Sequence, residues 1–127
     1  MIKLKRIYEP ATPDDGVRVL VERLWPRGVK KASAHLDEWA KEVAPSGMLR
    51  EWFHHDPTRW ERFKRRYFRE LDENEERWRP LLAAASKGRV TLVYSSHDRE
   101  HNNAVVLNEY LDRRRQSRSG HVGKEAA

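Results

Sequence analysis

Charged side chains stand at the end of an apolar run in residues 20–29, which read LVERLWPRGV. Glu22 and Arg23 follow a valine-rich segment, and Arg27 stands beside Gly28, where the backbone can approach a ligand closely. Guanidinium groups donate paired hydrogen bonds to phosphate or carboxylate oxygens, and a carboxyl group can move a proton. We therefore predict an anion site with Arg23 and Arg27 as ligand-binding residues and Glu22 as a candidate catalytic acid or base.

A second polar group follows another apolar run, in the segment YSSHDREHNN at residues 94–103. Ser95, Asn102 and Asn103 offer hydroxyl and amide groups beside a predicted helix start, and His101 adds an imidazole. The first turn of a helix presents free N–H groups and the positive end of the helix dipole, which together attract anions. We predict Ser95, Asn102 and Asn103 as ligand-binding residues and His101 as a candidate acid or base.

Both groups also have a purely structural interpretation. Arg23 emerges from a buried strand, so it needs either a ligand or an acid such as Asp37 or Glu38 as its partner. Asp98 has the side chain of an ordinary helix cap, and capping leaves some of the first N–H groups free. Both alternatives stay open on the sequence alone.

Histidine adds one further candidate and no metal site. His55 precedes Asp56, so this pair is a candidate for proton transfer, although Asp56 is also placed to cap a helix. His97 and His101 are four residues apart, but a helix that begins at Asp98 would not include His97. We therefore predict no metal and no cofactor.

The composition limits the classes of protein. The chain has 127 residues, a net charge of +6 and no cysteine, which excludes disulfides and thiolate chemistry. No stretch approaches the ~20 apolar residues of a membrane span, and the first residues contain no secretory signal. We expect a cytoplasmic protein with no membrane partner. The positive charge favours an anionic small molecule as its partner, with nucleic acid as the second candidate.

A row of arginines is the feature that favours nucleic acid as the partner. The row lies along one side of the helix predicted to begin at Asp56 and comprises Arg59, Arg62, Arg65, Arg66 and Arg69. This side either tracks a phosphate backbone or is a solvated face with interspersed acids. Clustering of Arg23, Arg27 and Asn102 in a concave pocket would favour the small anion, whereas a continuous convex basic face would favour nucleic acid. A third alternative is a protein-interaction domain without a ligand.

The elements that must position these residues indicate an α/β fold. We predict a single domain over residues 1–115, with a small, mainly parallel sheet of three to four strands flanked by four to five helices. Residues 17–24 and 90–94 are nearly continuous apolar runs, which is typical of adjacent parallel strands. The short loop between residues 2–7 and 17–24 favours a hairpin. Residues 116–127 lack a periodic apolar face and are predicted to be a disordered basic tail.

Helix signals fill the centre of the chain. Ser33 is placed to cap a helix that carries Leu36, Trp39, Ala40 and Val43. Ser46 and the pair Asp56-Pro57 predict two further helix starts. The second of these helices has an apolar stripe formed by Trp60, Phe63, Tyr67 and Leu71. Pro80 is predicted to open or kink a later helix, which ends at Gly88.

Four segments give the chain a resemblance to a known family. They are RVLVERLWPRGV (18–29), LDEWAKEVAPS (36–46), LREWFHHDPTRWERFKRRYFREL (49–71) and VTLVYSSHDREHNNAVVLNEYL (90–111). Together they resemble the YeaO-like proteins, the short branch of domain-of-unknown-function family 488. The resemblance implies an α/β fold with parallel strands, against the hairpin, and it implies no established reaction.

Longer members of that family carry Asp-x-Arg before a proline, and Cys-His-Arg at the start of the last helix. Glu22, Arg23 and Pro26 resemble the first pattern imperfectly. His101-Asn102-Asn103 stands at the place of the second, without its cysteine and arginine. The resemblance therefore implies no thiol-dependent chemistry for this chain.

Overall fold

The strand β4, Val90–Tyr94, is an inner strand of a four-stranded parallel sheet, and all five of its residues are buried. The other strands are β1 (Ile2–Arg6), β2 (Val17–Leu20) and β3 (Glu38–Trp39), in the order β1-β4-β2-β3. This computed structural model describes the backbone of residues 1–126 and the side chains of residues 1–117. The predicted α/β class, with strands 17–24 and 90–94 adjacent and parallel, is confirmed.

The predicted hairpin between the first two strands is wrong. β1 and β2 each pair in parallel with β4 and do not pair with each other. The loop between them returns the chain to its starting end of the sheet through a 3-10 turn at Pro13–Asp15. Gly16 closes this turn with φ 62°, and a Cβ there would lie 2.2 Å from the Arg89 carbonyl oxygen. The loop therefore fits only with glycine at this position, against the chain that enters β4.

Five α-helices accompany the sheet within residues 1–126. They are α1 (Lys31–Ala34), α2 (Gly47–Phe53), α3 (Trp60–Asp72), α4 (Glu75–Lys87) and α5 (Asn103–Ala126). The number of strands and helices agrees with the prediction.

The helix predicted from Ser33 through Val43 is wrong. The helix α1 ends at Ala34, and His35 follows in the left-handed region with φ 50°. The chain then forms β3, held to β2 by hydrogen bonds from the Asp37 and Ala40 amides. Hydrogen bonds to β2 pair the backbone N–H groups of this segment. The helical spacing of its apolar residues therefore does not decide the local structure.

The next two helix starts are confirmed. The Ser46 hydroxyl accepts a hydrogen bond from the Leu49 amide at the start of α2. The Asp56 carboxylate accepts one from the Thr58 amide, opening a 3-10 turn that continues into α3. The predicted stripe of α3 is buried at Phe63, Tyr67 and Leu71 and half-buried at Trp60. Local capping was therefore sufficient to predict this part of the chain.

The sheet separates two apolar clusters. Val19, Val21 and Leu92 pack with residues of α2–α5 in the larger cluster. Leu20 and Val93 point to the other face, where a smaller cluster forms. Alternation along a strand that continued past Val19 would place Trp25 on the face of Val19, but Trp25 packs against the smaller cluster. The alternation does not reach Trp25, because β2 ends at Leu20 and the chain turns beyond it.

The last two helices differ from their predicted bounds. Pro80 lies inside α4 and does not open it, and Gly88 ends this helix as predicted. The helix α5 begins at Asn103 and its backbone continues to Ala126, past the predicted start of a tail at Gln116. The predicted disorder of 116–127 stays a prediction, because the side chains of 118–127 and the backbone of 127 lie outside the described residues.

A buried ion cluster holds the end of the sheet where the strands begin. Asp15 is 0% exposed, and its carboxylate lies within 3.2 Å of Lys3 Nζ, 3.1 Å of Lys5 Nζ and 2.6 Å of Arg18 Nη1. Arg18 also donates to the carbonyl oxygens of Ala34 and His35 at the end of α1. Asp15 thus links β1, β2 and, through Arg18, α1.

Burial alone would raise the pKa of Asp15. Hydrogen bonds from the Thr12 amide, Lys5, Arg18 and Lys3 outweigh this and hold the pKa well below its ordinary value. A carboxyl group whose pKa is lowered by folding stabilises the folded state above its unfolded pKa, about 3.9 for Asp. This stabilisation is lost only as the pH falls below about 4 towards the folded pKa.

We predict that Asp15→Ala lowers the free energy of unfolding by about 3–5 kcal/mol at pH 7, because it leaves buried cations unpaired. Asp14→Ala is the matched control, since the Asp14 side chain is 80% exposed and pairs only at the surface with Arg89. Its effect should stay within about 0.5 kcal/mol. Urea denaturation of both variants measures the difference, and equal effects would contradict a structural role for the cluster.

Candidate functional site

A cavity of about 430 Å³ opens at the edge of the sheet where β2 and β4 end. It is lined by all eight predicted site residues, which are Glu22, Arg23, Arg27, His55, Ser95, His101, Asn102 and Asn103. Because the two strands are parallel neighbours, the residues that follow them meet at one edge. The structure therefore brings the two polar groups of the sequence together, while their function stays a prediction.

Two tryptophans fix the segment that follows β2. Trp39 Nε1 donates to the Glu22 carbonyl oxygen at 2.7 Å, and Trp25 Nε1 donates to the Val29 carbonyl oxygen at 2.7 Å. The two rings pack edge to face, with centroids 5.3 Å apart. The segment 22–29 is therefore held by contacts of two half-buried tryptophans, and it carries Glu22 and Arg27 to the cavity.

Glu22 places a partly buried carboxyl group in the cavity wall. Its Oε2 accepts a hydrogen bond from the Ser95 amide at 3.0 Å, which joins the end of β2 to the end of β4. Burial raises the pKa of Glu22 above its ordinary value, although the Ser95 hydrogen bonds and the charge of Arg50 act to lower it. The group is therefore costly to ionise and suited to holding a proton or receiving a donor.

Arg23 is committed mainly to the fold. Its Nε and Nη2 donate to the carbonyl oxygens of Pro45 and Ala44, each at 3.0 Å. The acid nearest to its remaining nitrogen is Glu42 at 3.9 Å, not Asp37 or Glu38 as the structural alternative supposed. Asp37 instead accepts a hydrogen bond from the Arg18 amide. Arg23 therefore anchors the chain before α2 and offers the cavity one nitrogen at most.

Arg27 and Arg50 have their guanidinium groups available. Both side chains are exposed, both line the cavity, and neither makes a side-chain hydrogen bond or ion pair with the described residues. Arg27 lies next to Gly28, whose φ of 74° is in the left-handed region, and Tyr8 donates to the Arg27 carbonyl oxygen at 3.1 Å. Guanidinium groups present paired donors that match the oxygens of phosphate and carboxylate groups, and two of them line this cavity.

Sequence reasoning missed Arg50. A signal was present, because Arg50 precedes the buried Phe53 by three residues and so shares its side of α2. Nothing in the sequence showed that this side of α2 borders the ends of β2 and β4, which is a matter of long-range packing.

The start of α5 is occupied by its own side chains. Asn102 is the N-cap, its Oδ1 accepting from the Val105 amide at 3.0 Å, while its Nδ2 donates to the Asp98 carbonyl oxygen. Asn103 Nδ2 donates to the Val21 carbonyl oxygen at 2.6 Å and ties α5 to β2. Asp98 is not the cap of this helix, because it caps the turn before it. Both asparagines therefore shape the cavity more than they supply it with free donors.

The two candidate histidines differ in the contacts that hold their side chains. His101 Nδ1 lies 3.0 Å from Asp98 Oδ2, and its ring packs perpendicular to Trp60 at a centroid distance of 5.0 Å. Backbone hydrogen bonds from Glu100 and His101, together with the His101 ring, lower the pKa of Asp98. His55 has φ 54° and follows another left-handed residue, His54. His101 is thus oriented by an acid, whereas His55 is placed by the backbone.

The described residues contain no cluster of three His, Asp or Glu side chains that could hold a metal ion. In the same part of the chain, no helix is both long and apolar enough to cross a membrane. His97, the other histidine of this loop, lies beside Arg6, with 3.3 Å between its Nδ1 and Arg6 Nη2.

The arginine row lies on the outer side of α3. Arg62, Arg65, Arg66 and Arg69 are exposed, and Arg59 is half-buried. The half-buried Trp52 lies beneath this row, with the guanidinium carbons of Arg59, Arg62 and Arg66 at 5.2, 5.5 and 4.3 Å from its ring centroid. Cation–π contacts therefore engage the aromatic ring that a nucleic-acid base would need for stacking.

Comparison with known proteins finds relatives over most of the chain. A family model described as "Inactive DUF488-N3 subclade" matches residues 1–126. The uncharacterized protein YeaO of Escherichia coli K12 is 44% identical over 110 residues, covering 87% of this chain and 96% of that protein. The uncharacterized protein Rv3073c of Mycobacterium tuberculosis is 39% identical over 113 residues, covering 89% of this chain and 95% of that protein. No solved structure matches.

We predict that Glu22→Gln stabilises the protein at neutral pH and has little effect at pH 4. A carboxyl group whose pKa is raised by folding favours the folded state when protonated, and this advantage is lost as the pH rises through the folded pKa. The glutamine amide oxygen can still accept the Ser95 N–H. Thermal melts of both proteins between pH 4 and 8 measure the effect, and a difference that shrinks with rising pH would contradict it.

Proposed function

The chain belongs to domain-of-unknown-function family 488, in the group described as the inactive DUF488-N3 subclade, and from this premise we propose that it binds a small anionic ligand without transforming it. The ligand carries a phosphate or carboxylate group, as a nucleotide does, and occupies the cavity at the ends of β2 and β4. The observation that carries the proposal is the pair of unengaged guanidinium groups, Arg27 and Arg50, at that cavity.

The dimensions and charge of the site support this assignment. A volume of about 430 Å³ is in the usual range for a small-molecule pocket. The net charge of +6 favours the approach of anions. Trp25 and Phe53 give the cavity apolar walls, which strengthen a charge-assisted hydrogen bond by excluding water. An anion bound there would neutralise charges that the protein leaves unpaired.

The candidate catalytic residues then have binding roles. Glu22 and His101 have features of an acid and a base, one through burial and the other through its contact with Asp98. Against catalysis stand the description of the subclade and the absence of a cysteine nucleophile. We assign Glu22, His55 and His101 to the shape and polarity of the cavity. A cytoplasmic location is part of this proposal.

Nucleic-acid binding through α3 remains the alternative, because four arginines of its row are exposed. The contacts of Trp52 with that row weaken it, since three arginines lie over the ring on which a base would stack. Binding that depends on Arg62 and Arg66 and weakens steeply with salt would favour this alternative over the cavity.

We predict that Arg27→Ala and Arg50→Ala each weaken the binding of nucleoside monophosphates by about 10- to 100-fold in isothermal calorimetry. Each charge-assisted hydrogen bond to a phosphate contributes about 1.5–3 kcal/mol. Neither side chain has hydrogen-bond partners among the residues whose side chains are described, so the fold should tolerate both substitutions. Arg23→Ala is a poorer test, because it also removes the anchor on Ala44 and Pro45.

The matched control is Arg77→Ala, which removes an exposed arginine of α4 that does not line this cavity. It changes the net charge by the same amount and should leave the affinity unchanged. Equal loss of affinity in all three variants would mean a general charge effect. Unchanged affinity in the Arg27 and Arg50 variants would overturn the proposal.

A further inference from the structure

Building on the proposed anion binding, we infer that Glu22 is a second recognition point of the cavity, so that its ligand carries an N–H donor as well as an anionic group. The inference rests on the placement of one carboxyl group. It specifies the chemical class of the ligand, which the arginines alone leave open.

Glu22 has an acceptor atom that makes no hydrogen bond with the described residues. Its Oε2 receives the Ser95 amide at 3.0 Å, and the Ser95 hydroxyl also acts on the carboxyl group, whereas Oε1 has no hydrogen bond among those residues. A carboxylate has about four lone-pair positions, so the contacts with Ser95 leave part of its capacity free. The side chain is partly buried in the cavity wall, so a bound ligand would shield it from water.

The position of this acid would be unfavourable for a simple anion. An inorganic phosphate held by Arg27 and Arg50 would bring negative charge towards Glu22, and like charges in a partly buried site repel each other. Arg50 relieves part of this repulsion, since its charge acts on Glu22 directly. An N–H donor on the ligand would replace the remaining repulsion with a hydrogen bond, because its partly positive hydrogen would face the Glu22 carboxylate.

The apolar walls favour a flat ring as the carrier of the donor. Trp25, Pro26 and Phe53 line the same cavity as Glu22. Aromatic and proline surfaces pack well against the face of a planar heterocycle. The ligand class that combines a phosphate, a planar ring and a ring or exocyclic N–H is the nucleoside monophosphates. A phosphorylated amine is a second ligand class that combines a phosphate with an N–H donor.

The experiment uses calorimetry on the full chain and compares pairs of ligands in which one member carries an N–H donor and the other does not. The nucleotide pairs are uridine monophosphate with its N3-methyl analogue, and adenosine monophosphate with its N6,N6-dimethyl analogue. Phosphoethanolamine with ethyl phosphate tests the ammonium source. At least one donor-bearing member should bind the wild type about 10-fold more tightly than its partner.

Glu22→Gln should remove this preference, because the amide is a weaker acceptor and carries no charge. Ethyl phosphate, which has no N–H donor, should bind the variant more tightly than the wild type, since a repulsive charge has gone. Ser96→Ala is the control, as it alters another polar residue of the cavity wall and should keep the preference.

The outcomes separate this inference from the proposed function. If every pair binds equally and binding still depends on Arg27, the cavity is an anion site and the role of Glu22 is wrong. A preference that persists in Glu22→Gln overturns the inference equally. If neither ethyl phosphate nor any nucleotide binds, the anion site itself is wrong, and the inference that rests on it falls with it.

Discussion

The parallel pairing of β2 with β4 is the interaction on which the candidate site depends. Val19 and Leu20 lie opposite Leu92 and Val93, and the Val21 amide donates to the Val93 carbonyl oxygen at 3.0 Å. Since the two strands run in the same direction, the segments that leave them are adjacent. The hydrogen bond between Glu22 and the Ser95 amide continues this pairing beyond the last ladder residues. An antiparallel arrangement would have placed these segments at opposite ends of the sheet.

The charged side chains at the two ends of the sheet differ in whether they have partners. Where the strands begin, Asp15 is surrounded by three cationic side chains, and each has a partner at close distance. Where they end, the guanidinium groups of Arg27 and Arg50 lack partners among the described residues, and a partly buried carboxyl group has a raised pKa. Satisfied charge stabilises a fold, whereas unsatisfied charge at a cavity is the usual mark of a binding site.

Local signals predicted much of this structure. The buried run at 90–94, the caps at Ser46 and Asp56 and the stripe of α3 all follow from short-range chemistry, and the structure contains them. The failures are long-range. The hairpin was wrong because loop length cannot show that β4 would enter between β1 and β2. The helix after Ser33 was wrong because pairing with β2 made residues 38–39 a strand. At the site, the sequence identified residues that line the cavity, yet Arg50 was missed, and the side chains of Asn102 and Asn103 also make hydrogen bonds within the protein.

The order β1-β4-β2-β3 has a consequence for folding during synthesis. Both β1 and β2 pair with β4, and β4 comes much later in the chain, at Val90–Tyr94. A ribosome adding about 5–20 residues per second therefore exposes two unpaired strand edges for several seconds before β4 emerges. Contacts of such high sequence separation slow folding and leave the nascent chain open to aggregation. The lysines of β1 place positive charge on one of these unpaired strand edges, and charge on an edge strand discourages edge-to-edge association.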